Sequence, residues 1–246
     1  MSMRYHVENR CVRTVTLAGA LVGAFMILAA GVAHSESGAG YSAPPKGLVL
    51  SWSRTDKAGG KTVTGSIIHR VLSAGGDEVL YNVSSPGKYD GDEVRLFRGI
   101  FSYAFWRPGK GWVEFKFDRA AIAKLWPLKV GNKARVAMRF GYGLGKTVAA
   151  AKVRWKVTEI GEIHYRVLRR ERVTVPAGTF DTFVIQRTRR FRKFDGKKFF
   201  SQRRVGWLAP KLGYIVKQTL QIGPKGPKAK SSVLQLVSVK QPGSGK

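Results

Sequence analysis

The sequence predicts an all-β protein, with one short helix at most, arranged as an antiparallel and strongly curved sheet, a partial barrel or a sandwich. Three observations carry that expectation. Short runs rich in Val, Ile, Leu, Phe and Trp recur from residue 48 onward. Clusters of Gly, Pro, Asp and Ser punctuate them as turns. Strand–helix alternation is missing, which argues against a doubly wound α/β fold.

Before the β region lies an export signal, residues 1–35. Arg4, Arg10 and Arg13 precede an uncharged, mainly apolar stretch from Leu17 to Ala33. Ala33-His34-Ser35 offers small residues at the positions a signal peptidase reads, which makes Glu36 the first mature residue. The alternative is an uncleaved N-terminal membrane anchor, but the run falls short of the roughly 20 apolar residues that span a bilayer. Cys11 precedes the apolar run, so it is not a lipoprotein acylation site. The mature chain is therefore expected in the periplasm or secreted, without cysteine and without disulfides. Residues 36–47, rich in Gly, Ser, Ala and Pro, read as a flexible lead-in.

A single β-rich domain is expected over residues 48–240, with 118–131 as the one place where it could divide. Leu48–Arg54 and Thr62–Leu72 flank a turn at Asp56–Gly60, and Glu78–Ser84 is closed by Ser85-Pro86-Gly87. Val94–Arg107 and Trp112–Asp118 flank the Pro108-Gly109-Lys110-Gly111 turn. Asp118 can cap a short helix that Pro127 stops. Ala134–Tyr142, Thr147–Glu159 and His164–Val175 read as strands. Thr182–Phe194 and Lys197–Trp207 meet at Asp195-Gly196, a strong two-residue hairpin signal. Tyr214–Ile222 and Val233–Lys240 complete the domain, and 241–246 form a disordered tail.

The 246-residue chain holds 44 Lys and Arg against 15 Asp and Glu, and its mature part keeps a net charge of +27. Such a surface attracts polyanions over about one Debye length, roughly 8–10 Å. Outside the inner membrane these are anionic lipid, lipopolysaccharide or another acidic envelope polymer, with peripheral membrane contact as one outcome. Export disfavours nucleic acid as a partner.

No catalytic, metal or cofactor constellation emerges. Gly141-Tyr-Gly143-Leu-Gly145-Lys146-Thr147 has one residue too few between its first Gly and the Gly-Lys-Thr for a phosphate loop, and Val148 onward reads as β. His69 and His164 lack a second ligand at zinc spacing. Asp90-Gly91-Asp92-Glu93 lacks the alternating oxygens and distant Glu of a calcium loop and reads as a solvated turn. No G-x-S-x-G elbow occurs. Paired carboxylates from distant strands stay open, though nothing nominates a pair.

The candidate site is the basic hairpin around Asp195-Gly196. A two-residue turn pairs Arg192 with Phe199, Phe191 with Phe200, Arg190 with Ser201 and Arg189 with Gln202. Arg189, Phe191, Lys193, Phe200 and Lys198 then share one face, and Arg190, Arg192, Phe194 and Phe199 the other. Opposed like charges destabilise a ribbon, so an anion lying across Arg189, Arg190, Arg192, Lys193, Lys197 and Lys198 would relieve it, with Phe191 and Phe199 beside the cations. The plainer account is a solvated hairpin whose charges deter edge-to-edge association.

Two further stretches, Val173-Thr-Val-Pro-Ala-Gly-Thr-Phe-Asp-Thr-Phe-Val-Ile185 and Trp207-Leu-Ala-Pro-Lys-Leu-Gly-Tyr-Ile-Val216, follow Trp126-Pro127-Leu-Lys-Val-Gly131. Over residues 125–217 the chain resembles a domain-of-unknown-function group of exported bacterial proteins that carry V-P-A-G-T-F-D-T and then W-x-A-P-x-x-G. The resemblance implies a β-rich envelope protein with no catalytic residues to carry over. Here the strand after the first motif is loaded with arginine, a departure from that group. Both motifs also have a structural reading as turns, with Gly178 free to take a positive φ. The function expected is non-enzymatic binding of an anionic or amphipathic envelope ligand. The alternatives are a structural or interaction protein without a specific ligand and, less favoured, a hydrolase.

Overall fold

The structure, a computed structural model, describes residues 38–85, 89–109, 111–193, 199–222 and 230–243. The expected signal and its cleavage point lie outside them, as do Phe194–Lys198 at the hairpin tip. In chain order the elements are β1 (Val49–Ala58), β2 (Lys61–Gly75), β3 (Glu78–Ser85), β4 (Tyr89–Phe97), β5 (Phe101–Arg107), β6 (Gly111–Phe117), α1 (Arg119–Ala123), β7 (Lys133–Gly143), α2 (Val148–Val153), β8 (Lys156–Val175), β9 (Gly178–Lys193), β10 (Phe199–Ala209), β11 (Tyr214–Ile222) and β12 (Lys230–Lys240). Each strand pairs antiparallel with the next, and β1 pairs with both β2 and β12, so the sheet closes into an up-and-down barrel. The all-β expectation holds, and closure decides between barrel and sandwich.

Turn chemistry explains much of the order. Gly109 takes φ 72° in the β5–β6 turn and Gly178 takes φ 130° where β9 begins. The Asp118 carboxylate accepts from the Ala121 amide at 3.0 Å and caps α1. The hairpin register matches the expected one, with Arg192 opposite Phe199 and Arg189 opposite Gln202.

One end of the barrel is pinched shut. Toward that end an extra residue bulges from β2 at Leu72, β5 at Tyr103, β8 at Leu168, β11 at Val216 and β12 at Val237, and a bulge bends its strand and tightens the twist. There the β4–β5 turn meets the β10–β11 turn from across the ring. A Cβ on Gly99 would overlap the Gly213 carbonyl, and one on Gly213 would overlap the Ser42 carbonyl and crowd Pro44. Arg98 locks the same end. Its backbone adopts φ 45°, its amide donates to the Asp77 carbonyl at 2.7 Å, and its guanidinium grips the Asp77 carboxylate at 2.8 and 3.2 Å. Residues 38–47, expected to be a flexible lead-in, run across this floor. Ala39 pairs with Leu128, Tyr41 stacks edge-on to Trp126 at 6.3 Å, and Pro44 is buried.

Three local expectations are corrected. Val94–Arg107 is not one strand, because Arg98–Ile100 form the floor turn between β4 and β5. Asp92 is not in a solvated turn; it sits buried within β4. Thr147–Ala151 is not strand but the start of a second helix, α2, whose Thr147 cap accepts from the Ala150 amide at 3.2 Å. The glycine run before it serves this return of the chain. A Cβ on Gly143 would strike the Ala151 carbonyl, so only glycine lets α2 fold back on the wall.

The wall is mainly apolar inside toward the floor and charged outside. Leu50, Trp52, Tyr81, Val136, Ile163 and Leu236 are buried, whereas Lys133, Arg135, Arg139 and Arg166 stand outward on β7 and β8. That is the reverse of a membrane-spanning barrel, whose outward band is apolar.

The floor contact generates a test. Gly213→Ala is expected to lower stability by about 2–4 kcal/mol through overlap and a positive φ. Gly109→Ala, with a similar φ but open space around it, is expected to lose only about 1 kcal/mol. Urea unfolding of the two variants measures the difference, and equal losses would remove packing from the account.

Candidate functional site

Opposed residues of an antiparallel pair share a face, so the ladders define rows that run around the barrel wall. One inward row passes from Tyr165 on β8 through Arg187 on β9, Arg204 on β10 and Leu220 on β11 to Ser232 on β12 and Asp56 on β1. The next row toward the floor holds Val167, Ile185, Gly206, Gln218, Leu234 and Arg54. Gly206 and, opposite Arg54, Gly65 contribute no side chain.

Arg204, Leu220 and Ser232 of the first row and Gln218, Leu234 and Arg54 of the second line a cavity of about 510 Å³ within the barrel, and Arg187 and Tyr165 continue the first row beyond that lining. Apolar residues from many strands line it, among them Trp52, Ile67, Val83, Val94, Leu96, Phe105, Val113, Leu220 and Leu234. Its floor end is formed at Gly99, Ile100, Tyr214 and Ile215, and its polar lining is Arg54, His69, Asp92, Ser102, Arg107, Arg204, Gln218 and Ser232. A largely apolar chamber of this size with a few directed polar groups has the character of a small-molecule site.

Inward ion pairs occupy the half of the barrel away from the floor. Arg54 Nε binds Asp56 at 2.8 Å, Arg107 Nε binds Asp92 at 2.8 Å and an Arg189 terminal nitrogen reaches Glu159 at 3.2 Å. Arg189 also lies over Phe191 at 4.0 Å and Phe115 at 4.5 Å. Burial, then the neighbouring Arg187 charge, pushes the Arg189 guanidinium down to about 10, against the opposing pull of Glu159.

Arg187 and Arg204 stand apart from this pattern. They are directly opposite one another, and Arg187 is 8% exposed. Among the described residues neither has a carboxylate partner, and the Nε of each lacks a hydrogen-bond partner. Burial, followed by the Arg187 charge, drives Arg204 well below the usual guanidinium range. The Tyr165 hydroxyl, beside Arg187, completes the row. Burial raises this phenol, while the Arg187 charge and hydrogen bond, then the Arg204 and Arg189 charges, pull it down.

Nearer the floor, His69 is packed among Trp52, Tyr81 and Tyr214, with ring centroids 5.7–6.2 Å away. Its Nδ1 lies 2.7 Å from the Tyr214 hydroxyl. Desolvation lowers its pKa from 6.5 to about 4, so the ring is neutral at pH 7.

The expected hairpin site is divided by the wall. Arg189 and Phe191 face the interior, where Arg189 already holds Glu159. Arg190 and Arg192 face outward and border an open groove with Lys116, Arg135 and Arg139. Only the backbone of Lys193 and Phe199 is described, and Lys197 and Lys198 lie outside the described residues. Sequence reasoning missed Arg187 and Arg204. The signal was available, since continuing the hairpin register inward from Arg189–Gln202 sets Arg187 opposite Arg204.

His69 generates a pH prediction. The unfolded chain protonates this histidine near 6.5 and the folded chain only near 4. Stability is therefore full above pH 6.5 and declines toward pH 4, by about 3 kcal/mol from this group. In denaturant titrations the difference between the protein and His69→Gln should carry that slope; a constant difference over this range would refute it.

No family model matches the chain, and no curated protein matches its sequence. The solved structures to which the chain is similar include three from bacteria. One is an exported-protein candidate with a YmcC-like fold from Bacteroides fragilis, at TM-score 0.45 and 16% identity, covering 82% of this chain and 100% of that one. A lipoprotein candidate from Parabacteroides distasonis has TM-score 0.41 and 16% identity, covering 80% and 97%. The hypothetical lipoprotein YmcC from Escherichia coli K12 has TM-score 0.45 and 7% identity, covering 77% and 83%.

Proposed function

We propose that this is an exported, non-enzymatic envelope protein that binds an amphipathic ligand inside its barrel. The observation that carries the reading is the apolar chamber of about 510 Å³, closed at its floor and ringed by polar groups farther up. An apolar chain would lie among Trp52, Ile67, Val83, Leu96 and Leu234, with its polar end toward the level of the inward ion pairs. The N-terminal leader supports an envelope location.

Magnitudes suit reversible carriage. Each buried methylene contributes about 0.8 kcal/mol, so a twelve-carbon chain supplies roughly 9 kcal/mol before the several kcal/mol that association costs. About 5 kcal/mol remains for a simple fatty alcohol, a Kd on the order of 0.1–1 mM. The outward arginines would aid encounter with an anionic surface, yet apolar burial should hold the ligand at high salt. Attachment by surface charge alone would be lost there.

Native mass spectrometry of protein purified from its own envelope should show an adduct of acyl-chain mass. After delipidation, dodecanol should bind once per chain and persist in 1 M salt, with a change in Trp52 fluorescence. Leu234→Trp, which narrows the chamber, should weaken it by roughly tenfold or more. The reading is sunk by a protein that carries no adduct and takes up no dodecanol.

A further inference from the structure

We infer that Arg187 and Arg204 form a headgroup clamp for a phosphoryl group carried on an apolar chain, with the Tyr165 hydroxyl as a third donor. This rests on the ligand-binding reading of the barrel interior and names the chemistry of the ligand's polar end.

The clamp follows from the interior charges. Asp56, Asp92 and Glu159 are each engaged by an arginine, namely Arg54, Arg107 and Arg189. Arg187 and Arg204 remain as two positive charges on one row, facing each other across β9 and β10, without a carboxylate among the described residues. Opposed like charges destabilise a sheet even in solvent, and buried charges are ordinarily paired or hydrogen-bonded. A bound anion resolves both conditions at once.

The donors point to the kind of anion. Arg187 Nε and Arg204 Nε are buried without a partner, and the Tyr165 hydroxyl beside Arg187 keeps its O–H to donate. A phosphate monoester carries about −1.5 to −2 charge near pH 7 and presents three terminal oxygens. That balances two guanidiniums and suits their forked geometry, whereas a single carboxylate balances one. The place is also right. Arg204 lines the chamber together with Leu234 and Trp52, so a chain attached to a headgroup at Arg204 can run toward them.

Calorimetry on the delipidated protein with dodecyl phosphate, dodecanol and inorganic phosphate tests the clamp. Dodecyl phosphate should bind at least about tenfold tighter than dodecanol, the expected effect of charge-assisted hydrogen bonds. Arg187→Gln and Arg204→Gln should each remove most of that preference, so that each variant binds dodecyl phosphate little tighter than it binds dodecanol. Neither should lower the Tm of the ligand-free protein, because each removes an uncompensated buried charge; a fall in Tm would make the arginines structural. Arg190→Gln with Arg192→Gln, on the outer wall, should leave the preference intact. Equal affinity for dodecanol and dodecyl phosphate would overturn the clamp while the amphipathic reading stands. Inorganic phosphate bound as tightly as dodecyl phosphate, with no dodecanol uptake, would overturn both.

Discussion

Ring closure is the constraint on which the rest of this structure depends. Once β1 pairs with β12 as well as β2, no strand edge remains among the described strands, and the strand number fixes the width of the interior. Eight strands make a barrel that side chains can just fill; twelve leave more room than the inward residues occupy. The chain answers by collapsing one end. Bulges bend the strands there, the Gly99 and Gly213 turns touch across the ring, and residues 38–47 cross the floor. The unfilled volume is left farther up as the chamber.

That division also sorts the polar groups. Toward the floor the interior is packed by aromatics, and His69 is neutral because its surroundings offer a charged ring no solvation. Above it, inward arginines meet carboxylates from β1, β4 and β8. A ligand with an apolar body and an anionic end would find the same polarity gradient. The surplus of buried guanidinium over carboxylate is what makes the gradient chemically specific rather than merely polar.

The outer wall does a different task. Lys133, Arg135, Arg139, Arg166, Arg190 and Arg192 keep the outside hydrated, and α2 covers Trp112, whose ring lies 4.6 Å from Lys152 Nζ. The strong positive charge is thus split between a solvated exterior and a small interior set. Only the interior set is held by burial and geometry. The exterior set acts through long-range attraction, which salt screens.

Much of the architecture was legible along the chain because turns are local chemistry. Counting outward from Asp195-Gly196 predicts the Arg192–Phe199 register that β9 and β10 adopt, Pro108-Gly109 marks the β5–β6 turn, and Asp118 the cap of α1. The second helix was misread although Thr147 and Ala149–Ala151 supply a cap and good helix formers, because β-branched valines flank the alanines. Asp92 was misread because Asp90-Gly91 suggests a bend, while pairing with β3 and the Arg107 partner hold it in a strand. What the sequence by itself determined was a succession of antiparallel strands and one hairpin's register. Which face of that hairpin turns inward was decided only by tertiary closure. Both faces of β9 carry cations and aromatics, so period-two patterning has no apolar side to choose, and the ring alone buries Arg187 and Arg189 while leaving Arg190 and Arg192 in water.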